Sequence, residues 1–134
     1  MGEGDPQPVI DRLRKRADFV AAASGRKAHS ALMTMQARRA AGNGAARIGL
    51  TVTRKVGTAV ERNRIRRRLR TAVGAVAPLS AQPGHDYVII ARRSVLDVQY
   101  AALLAALAGA FRSVHAPKSG SGKGRLSKRV EDVG

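Results

Sequence analysis

The densest group of chemically active side chains lies in residues 60–70, the segment VERNRIRRRLR. Arginines dominate it, and pairs such as Arg62 and Arg66 are four residues apart, so they would be neighbours on one face of a helix. Each like-charge pair at this spacing costs about 0.2–0.5 kcal/mol. A polyanion bound to the helix would relieve this repulsion. The segment therefore predicts a phosphate-rich partner.

Side chains for acid–base, metal or nucleophilic catalysis are not grouped in this way. The nine carboxylates are scattered, with no pair spaced to hold two metal ions or to divide acid and base roles. The three histidines, His29, His85 and His115, belong to no motif. The segment SGSGKG lacks the Ser or Thr that follows the lysine of a phosphate-binding loop. We therefore predict no catalytic residue and no metal ligand in this chain.

The charge of the whole chain favours the same kind of partner. Lys and Arg number 25 against 9 Asp and Glu, so the formal net charge of the 134 residues is +16. Nucleic acid is the counter-charge that fits best. An anionic membrane surface is a weaker alternative, because no aromatic residues flank the basic segment.

Other features of the sequence indicate where the protein works. The chain contains no cysteine, so it can have neither a disulfide bond nor a thiol nucleophile. The start, MGEGDPQPVI, has acidic residues and prolines where a signal peptide has a basic and then a hydrophobic stretch. The apolar stretch AALLAALAGAF is far shorter than the ~20 residues that span a bilayer. We therefore expect a soluble cytoplasmic protein, with neither a membrane nor a small-molecule substrate as its partner.

Composition divides the chain into three parts. Residues 1–11 are expected to form a flexible leader, and residues 12–115 a single domain that binds nucleic acid. Residues 116–134 are rich in Gly, Ser and Lys, which predicts a basic flexible tail.

Hydrophobic periodicity within the domain predicts an α+β fold. ADFVAAASG indicates a short helix that ends at Gly25 in the left-handed conformation. ALMTMQAR and ARIGLTVT alternate as two strands, which Asn43 and Gly44 would join as an antiparallel hairpin. DYVIIARR is apolar on both faces, as in a strand that is covered on both sides.

A final amphipathic helix is expected to begin near Asp97 and to pack on the sheet. Its predicted apolar stripe consists of Tyr100, Leu103, Leu104, Leu107 and Phe111. With the arginine helix included, the element order is αββαβα. This order predicts a two-layer sandwich in which helices pack against one small mixed sheet.

The arginine helix has its own start and packing signals. Thr58 and Glu61 form a capping box, which places the first residue near Ala59, and Pro78 is expected to end the helix. An apolar stripe faces the sheet and consists of Ile65, Leu69, Ala72, Val73 and Val76. The outward surface carries Arg64, Arg66, Arg67, Arg68 and Arg70, and Arg54 and Lys55 extend it upstream.

The segments LTVTRK, GTAVERNRIRRRLR and DYVIIARR together resemble the protein subunit of bacterial ribonuclease P, whose signature is Arg-Asn-Arg after a Gly-x-Ala-Val turn. The resemblance runs from about residue 12 to residue 111. It implies an α/β sandwich with a left-handed crossover into the arginine helix. It also implies a catalytic RNA subunit that removes the 5′ leader of precursor tRNA, using magnesium ions bound mainly by that RNA.

Two groups of binding residues follow from the resemblance by position. The residues expected to contact the catalytic RNA are Arg62, Asn63, Arg64, Arg66, Arg67 and Arg70, with Arg54, Lys55 and Arg68 beside them. The residues expected to contact the leader, on the first helix and the sheet, are Phe19, Thr51, Thr53, Arg92 and Arg93.

Phe19 has two interpretations. A base stacked on its ring would contribute about 1–3 kcal/mol, whereas the alternative is a core phenylalanine under the sheet. Family members often carry further aromatics nearby, but this sequence has Ala22, Ala23, Met33 and Met35 in those regions. We therefore expect leader binding with weak sequence selectivity.

A second function is compatible with the charge and the fold class. A ribosomal protein or an RNA chaperone would bind structured RNA without cleavage. The Arg-Asn-Arg signature with its turn favours ribonuclease P.

Overall fold

The computed structural model describes residues 10–40 and 44–116 and has the expected α+β architecture. A five-stranded mixed sheet packs against three α-helices. The left-handed crossover into the arginine helix stays a prediction. The flexibility of the tail also stays a prediction, because the tail lies outside the described residues from residue 117 onward. Along the chain the elements are β1 (Ile10–Arg12), α1 (Arg16–Ala23), β2 (Arg26–His29), β3 (Met33–Arg39), β4 (Ala46–Thr51), α2 (Ala59–Ser80), β5 (His85–Ala91) and α3 (Tyr100–His115), with 3-10 turns at Arg54–Val56 and Arg93–Leu96.

The strand order in the sheet is β1-β4-β5-β3-β2. The predicted hairpin between β3 and β4 is therefore wrong, because β5 lies between them, antiparallel to β3 and parallel to β4. Tyr87, Val88 and Ile89 of β5 are buried on both sides of the sheet, which suits a central strand. Gly44 adjoins β4 without forming a hairpin, and Asn43 lies outside the described residues.

Two short strands extend the sheet beyond the expected three. β1 pairs in parallel with β4 and begins at Ile10, within the segment expected to be a flexible leader. β2 pairs antiparallel with β3 at the opposite edge. Strands of three and four residues are too short to show a clear alternation of apolar residues, so periodicity did not reveal them.

Gly25 ends α1 for a different reason from the expected one. Among the described residues, the glycine in the left-handed conformation is Gly84, whose φ is 74°. At Gly25, a Cβ atom would lie 2.0 Å from the carbonyl oxygen of Ala37 in β3. Glycine is needed here because α1 ends against the backbone of the sheet.

The two faces of the sheet are covered unequally. α2 and α3 bury one face, where Ile65, Leu69 and Phe111 pack on Met33 and Met35. The eight-residue α1 covers the other face, where a small cluster contains Leu13, Ala22 and Val88. Because α1 is short, part of this second face stays accessible, and Ile90 is only half-buried there.

The start of α2 is as expected and its end is not. The Thr58 hydroxyl accepts from the Glu61 N–H at 3.1 Å, and the Glu61 carboxylate accepts from the Thr58 N–H at 2.9 Å. The helix continues past Pro78 to Ser80. A proline in the last turn removes a single N–H, and the Ala81 N–H still donates to the Ala77 carbonyl at 2.8 Å.

Candidate RNA-binding surfaces

The apolar stripe of α2 fixes which arginines face outward. Ile65 and Leu69 are fully buried against the sheet, and Val76 packs at the margin of the core. The side chains on the opposite side of the helix are exposed. Those of Arg62, Arg66 and Arg68 are half-buried. The exposed polar residues between Asn63 and Arg70 are Asn63, Arg64, Arg67 and Arg70.

Arg64, Arg67 and Arg70 have guanidinium groups that are available to a ligand. Within residues 10–40 and 44–116, none of them forms an ion pair or donates a hydrogen bond. Burying an arginine that has no ion-pair partner would cost desolvation free energy. Because these arginines are exposed, they stay hydrated until a polyanion replaces the water. These three residues form the core of a positive surface on α2.

Arg62 and Arg66 are oriented by their neighbours. Arg62 donates to the carbonyl oxygen of Gly57 at 2.9 Å, which ties the side chain to the turn before α2. Arg66 donates to Oδ1 of Asn63 at 3.1 Å. The amide oxygen of Asn63 therefore orients an arginine side chain.

Arg68 does not point outward with the others. Its guanidinium donates to the carbonyls of Val95 at 2.6 Å and Leu96 at 3.1 Å, and also to that of Val98. The predicted outward orientation of Arg68 is therefore wrong. Its side chain instead connects α2 to the segment before α3. The contact joins residues about thirty positions apart, which helical periodicity cannot reveal.

Glu61 is the acidic residue of the arginine segment, and its carboxylate forms an ion pair with Arg93. Two hydrogen bonds of 2.9 and 2.7 Å join the Arg93 guanidinium to the Glu61 carboxylate, and a third reaches the Val56 carbonyl at 2.9 Å. The hydrogen bond from Arg93, together with that from the Thr58 N–H, lowers the pKa of Glu61 to about 2. Glu61 therefore leaves the exposed arginines of α2 uncompensated, and Arg93 is fixed at the start of this helix.

Replacing Glu61 with glutamine should test this ion pair by its pH dependence. Because folding lowers the pKa of Glu61 from 4.5 to about 2, its charge stabilises the fold above pH 4.5, and that contribution disappears as the pH falls to 2. Glutamine can still accept from the Thr58 N–H, so the cap is retained. We expect the Tm difference between wild type and E61Q to be largest near neutral pH and to shrink between pH 4.5 and pH 2. A difference that stays constant over this range would contradict the ion pair.

The accessible face of the sheet holds most of the predicted leader residues. Phe19 is half-buried, and its ring covers Gly49 of β4, where a Cβ atom would lie 2.5 Å from the ring. Thr51 is half-buried two residues along β4, on the same face as Gly49. Thr53 and Arg92 are exposed just after β4 and β5, which are parallel and therefore end at the same edge. Phe19 thus combines packing on the sheet with an accessible part of its ring.

A partly buried group of ion pairs positions α1 and with it Phe19. Asp86 is almost fully buried, and both of its carboxylate oxygens accept from Arg47 at 2.8 Å. Arg47 also lies 3.3 Å from the carboxylate of Asp18, the residue before Phe19 in α1. These carboxylates raise the pKa of Arg47, chiefly through the hydrogen bonds that Arg47 donates to Asp86.

A cleft of about 770 Å³ beside β1 brings residues of both surfaces together. Phe19 lines it on one side, and Arg66 and Arg70 of α2 line it on the other. Arg12 and Arg14 also line this cleft, although the sequence analysis did not single them out. The basic run RLRKR, residues 12–16, was the signal that could have identified them.

Within residues 10–40 and 44–116, no three side chains of His, Asp or Glu come together in a group that could hold a metal ion. In the same residues, no helix is long and apolar enough to cross a membrane.

Comparisons with known proteins identify the family. A family model described as ribonuclease P matches residues 8–115. The chain is 45% identical over 112 residues to the ribonuclease P protein component of Paramagnetospirillum magneticum, covering 80% of this chain and 84% of the relative. It is 46% identical over 112 residues to that of Ruegeria pomeroyi, covering 81% and 90%.

Solved structures of two bacterial proteins have the same fold. The ribonuclease P protein of Thermotoga maritima aligns with a TM-score of 0.64 at 25% identity, over 74% of this chain and 93% of that chain. The Staphylococcus aureus protein aligns with a TM-score of 0.66 at 23% identity, over 78% and 94%. From the family match and the identity to these relatives, the chain belongs to the ribonuclease P protein family, whose members are the protein subunits of an RNA-containing endoribonuclease.

Proposed function

We propose that the positive surface of α2 binds the catalytic RNA subunit of ribonuclease P. The supporting observation is that Arg64, Arg67 and Arg70 are exposed without a carboxylate partner in the described chain, on a helix whose rotation Ile65 and Leu69 fix. Arg54 and Lys55, exposed in the turn before α2, extend this surface. Each phosphate that these cations neutralise releases counterions, which favours association.

The second proposed surface takes the 5′ leader of precursor tRNA. Phe19, Thr51, Thr53 and Arg92 lie along the sheet face and edge that α1 leaves accessible. An unpaired leader nucleotide could stack on the Phe19 ring, while the hydroxyls and the arginine contact its backbone. Arg93 was also predicted to bind here. Its contacts with Glu61 and Val56 make it the least available member of the set.

The division of labour follows from the side chains that are present. Magnesium would supply the charge that activates water and stabilises the leaving oxygen in phosphodiester hydrolysis. The described residues contain no cluster to hold that ion, so we propose that the RNA binds it and contains the active site. The protein would lower the repulsion between the phosphates of the catalytic RNA and those of the precursor. We place this activity in the cytoplasm. The family match does not favour a ribosomal or RNA-chaperone role without cleavage.

Phe19→Ala should separate leader binding from general RNA binding. Loss of one stacked base costs about 1–3 kcal/mol, so we expect the holoenzyme to bind precursor tRNA roughly 5- to 150-fold more weakly. Binding of mature tRNA, which has no leader, should not change, and neither should the salt dependence, because no charge is removed. The measurement is the Kd of each tRNA with protein, catalytic RNA and magnesium present.

Matched variants guard against an effect on folding. Phe19→Leu keeps an apolar side chain on Gly49 while removing the aromatic ring, and Val20→Ala changes an exposed neighbour on α1. Val20→Ala should bind both tRNAs as the wild type does. If Phe19→Leu binds precursor tRNA normally, or weakens precursor and mature tRNA equally, the leader does not stack on Phe19.

A further inference from the structure

Tyr100 is an accessible aromatic residue where the sequence predicted a buried one. It was expected on the apolar stripe of α3, but its side chain is 40% exposed, whereas Leu103, Leu107 and Phe111 of that stripe are buried. The chain has only four aromatic residues besides histidine, and both Tyr87 and Phe111 are buried in the core. Phe19 and Tyr100 are therefore the two with accessible rings.

The surroundings of Tyr100 are positively charged. The residue lines a groove of about 280 Å³ between α2 and the start of α3, together with Arg64, Arg67, Arg68 and Thr71. Arg64 and Arg67 are exposed and make no ion pair within the described chain. The volume is slightly below the ~300–1,000 Å³ of pockets that enclose drug-sized molecules, and it suits one flat ring better than a larger group.

Arg68 explains why the aromatic ring is located beside these arginines. Its hydrogen bonds to the carbonyls of Val95 and Leu96, and to that of Val98, attach the segment before α3 to α2. Tyr100 is the first residue of α3, only two positions after Val98. One arginine of α2 thus positions the aromatic ring, while Arg64 and Arg67, which have no ion-pair partner among residues 10–40 and 44–116, line the same groove.

An accessible aromatic ring flanked by two available guanidinium groups is a combination that suits single-stranded nucleic acid. A base stacks on the ring whatever its identity, and cations contact the phosphates on either side. The base must be unpaired, because paired bases in an RNA helix are not available for stacking on a side chain. Exposed tyrosine without adjacent cations would not favour a polyanion in this way.

We propose that an unpaired nucleotide of the catalytic RNA stacks on Tyr100, with its flanking phosphates bound by Arg64 and Arg67. This inference rests on the proposed function of α2 and deepens it. It adds to the electrostatic surface one position at which the RNA must be single-stranded. Phe19 of the proposed leader surface shares its cleft with Arg66 and Arg70, whereas Tyr100 shares its groove with Arg64 and Arg67. We therefore assign the base on Tyr100 to the RNA subunit rather than to the precursor tRNA.

Tyr100 variants test the stacking directly. We expect Tyr100→Ala and Tyr100→Leu to bind the cognate catalytic RNA about 5- to 150-fold more weakly, with the salt dependence unchanged. Tyr100→Phe keeps the ring and should bind within about twofold of wild type. Leu79→Ala changes an apolar residue on α2 that is 90% exposed, and it serves as the control. Melting temperatures identify any variant that is destabilised, and Tyr100→Leu preserves the apolar bulk if Tyr100→Ala is affected.

A fluorescence measurement gives an independent result. The chain has no tryptophan, so Tyr100→Trp would introduce a single indole whose emission should be quenched when a base stacks on it. Affinity at the wild-type level in Tyr100→Leu, or unquenched emission in the saturated complex, would overturn the proposal. If Arg64→Ala with Arg67→Ala weakens RNA binding while the Tyr100 variants do not, only the stacking is wrong. If neither set has an effect, the proposed role of α2 is wrong as well.

Discussion

Replacing Arg64 and Arg67 together with alanine should reduce the affinity for the catalytic RNA by roughly 100-fold or more at moderate salt. Each charge-assisted hydrogen bond to a phosphate contributes about 1.5–3 kcal/mol, and a factor of ten corresponds to about 1.4 kcal/mol. Both side chains are exposed and make no hydrogen bond within residues 10–40 and 44–116, so the Tm should not fall. Filter binding or fluorescence anisotropy measures the first effect, and circular dichroism the second.

The salt dependence shows whether the lost contacts are to phosphates. If five to eight basic groups engage, the log–log slope of affinity against salt should be roughly −4 to −7, at about 0.7–0.9 per phosphate. The double variant should be shallower by about 1.4–1.8. Arg39→Ala with Arg112→Ala removes the same charge from exposed positions on β3 and α3, and it should change the affinity much less. Equal losses in the two double variants would mean that net charge, rather than the α2 surface, attracts the RNA.

Unlike the double variant of Arg64 and Arg67, Arg68→Ala should lower the free energy of unfolding of the domain. It removes the hydrogen bonds to the carbonyls of Val95, Leu96 and Val98, which are part-buried. Allowing for partial exposure, we expect a loss of about 2–3 kcal/mol. For a domain of this size, that loss lowers the Tm by roughly 10–20 °C.

The neighbouring Arg67→Ala is the matched control, because it removes an arginine from the same turn of α2 without removing a hydrogen bond in the described chain. Its Tm should equal that of the wild type. Arg68→Lys should recover little of the stability, because an ammonium group cannot reproduce the planar fork of a guanidinium. Arg68 would have to be assigned to RNA binding instead if its alanine variant melted like Arg67→Ala and bound the RNA poorly.

Features that depend on residues close together in the chain were predictable from the amino-acid sequence alone. The capping box of Thr58 and Glu61 fixed the start of α2, and the spacing of Ile65 and Leu69 fixed its buried side. The same spacing directed Arg64 and Arg67 to the surface. These are interactions within one or two turns of a helix, so periodicity and local propensity predict them. The signature in this segment also led to the family.

Contacts between residues far apart in the chain became visible only once the helices and strands were packed together. Strand alternation shows which side chains share a face, but it contains no information on strand order, so the position of β5 between β3 and β4 was missed. The partner of Glu61 is Arg93, and Arg68 donates to carbonyls about thirty residues away. Tyr100 has the spacing of a core residue yet lies in the groove beside Arg64, at the first position of α3, while Leu103 in the same turn is buried. Such contacts depend on how the elements pack, and a pattern along one element cannot specify them.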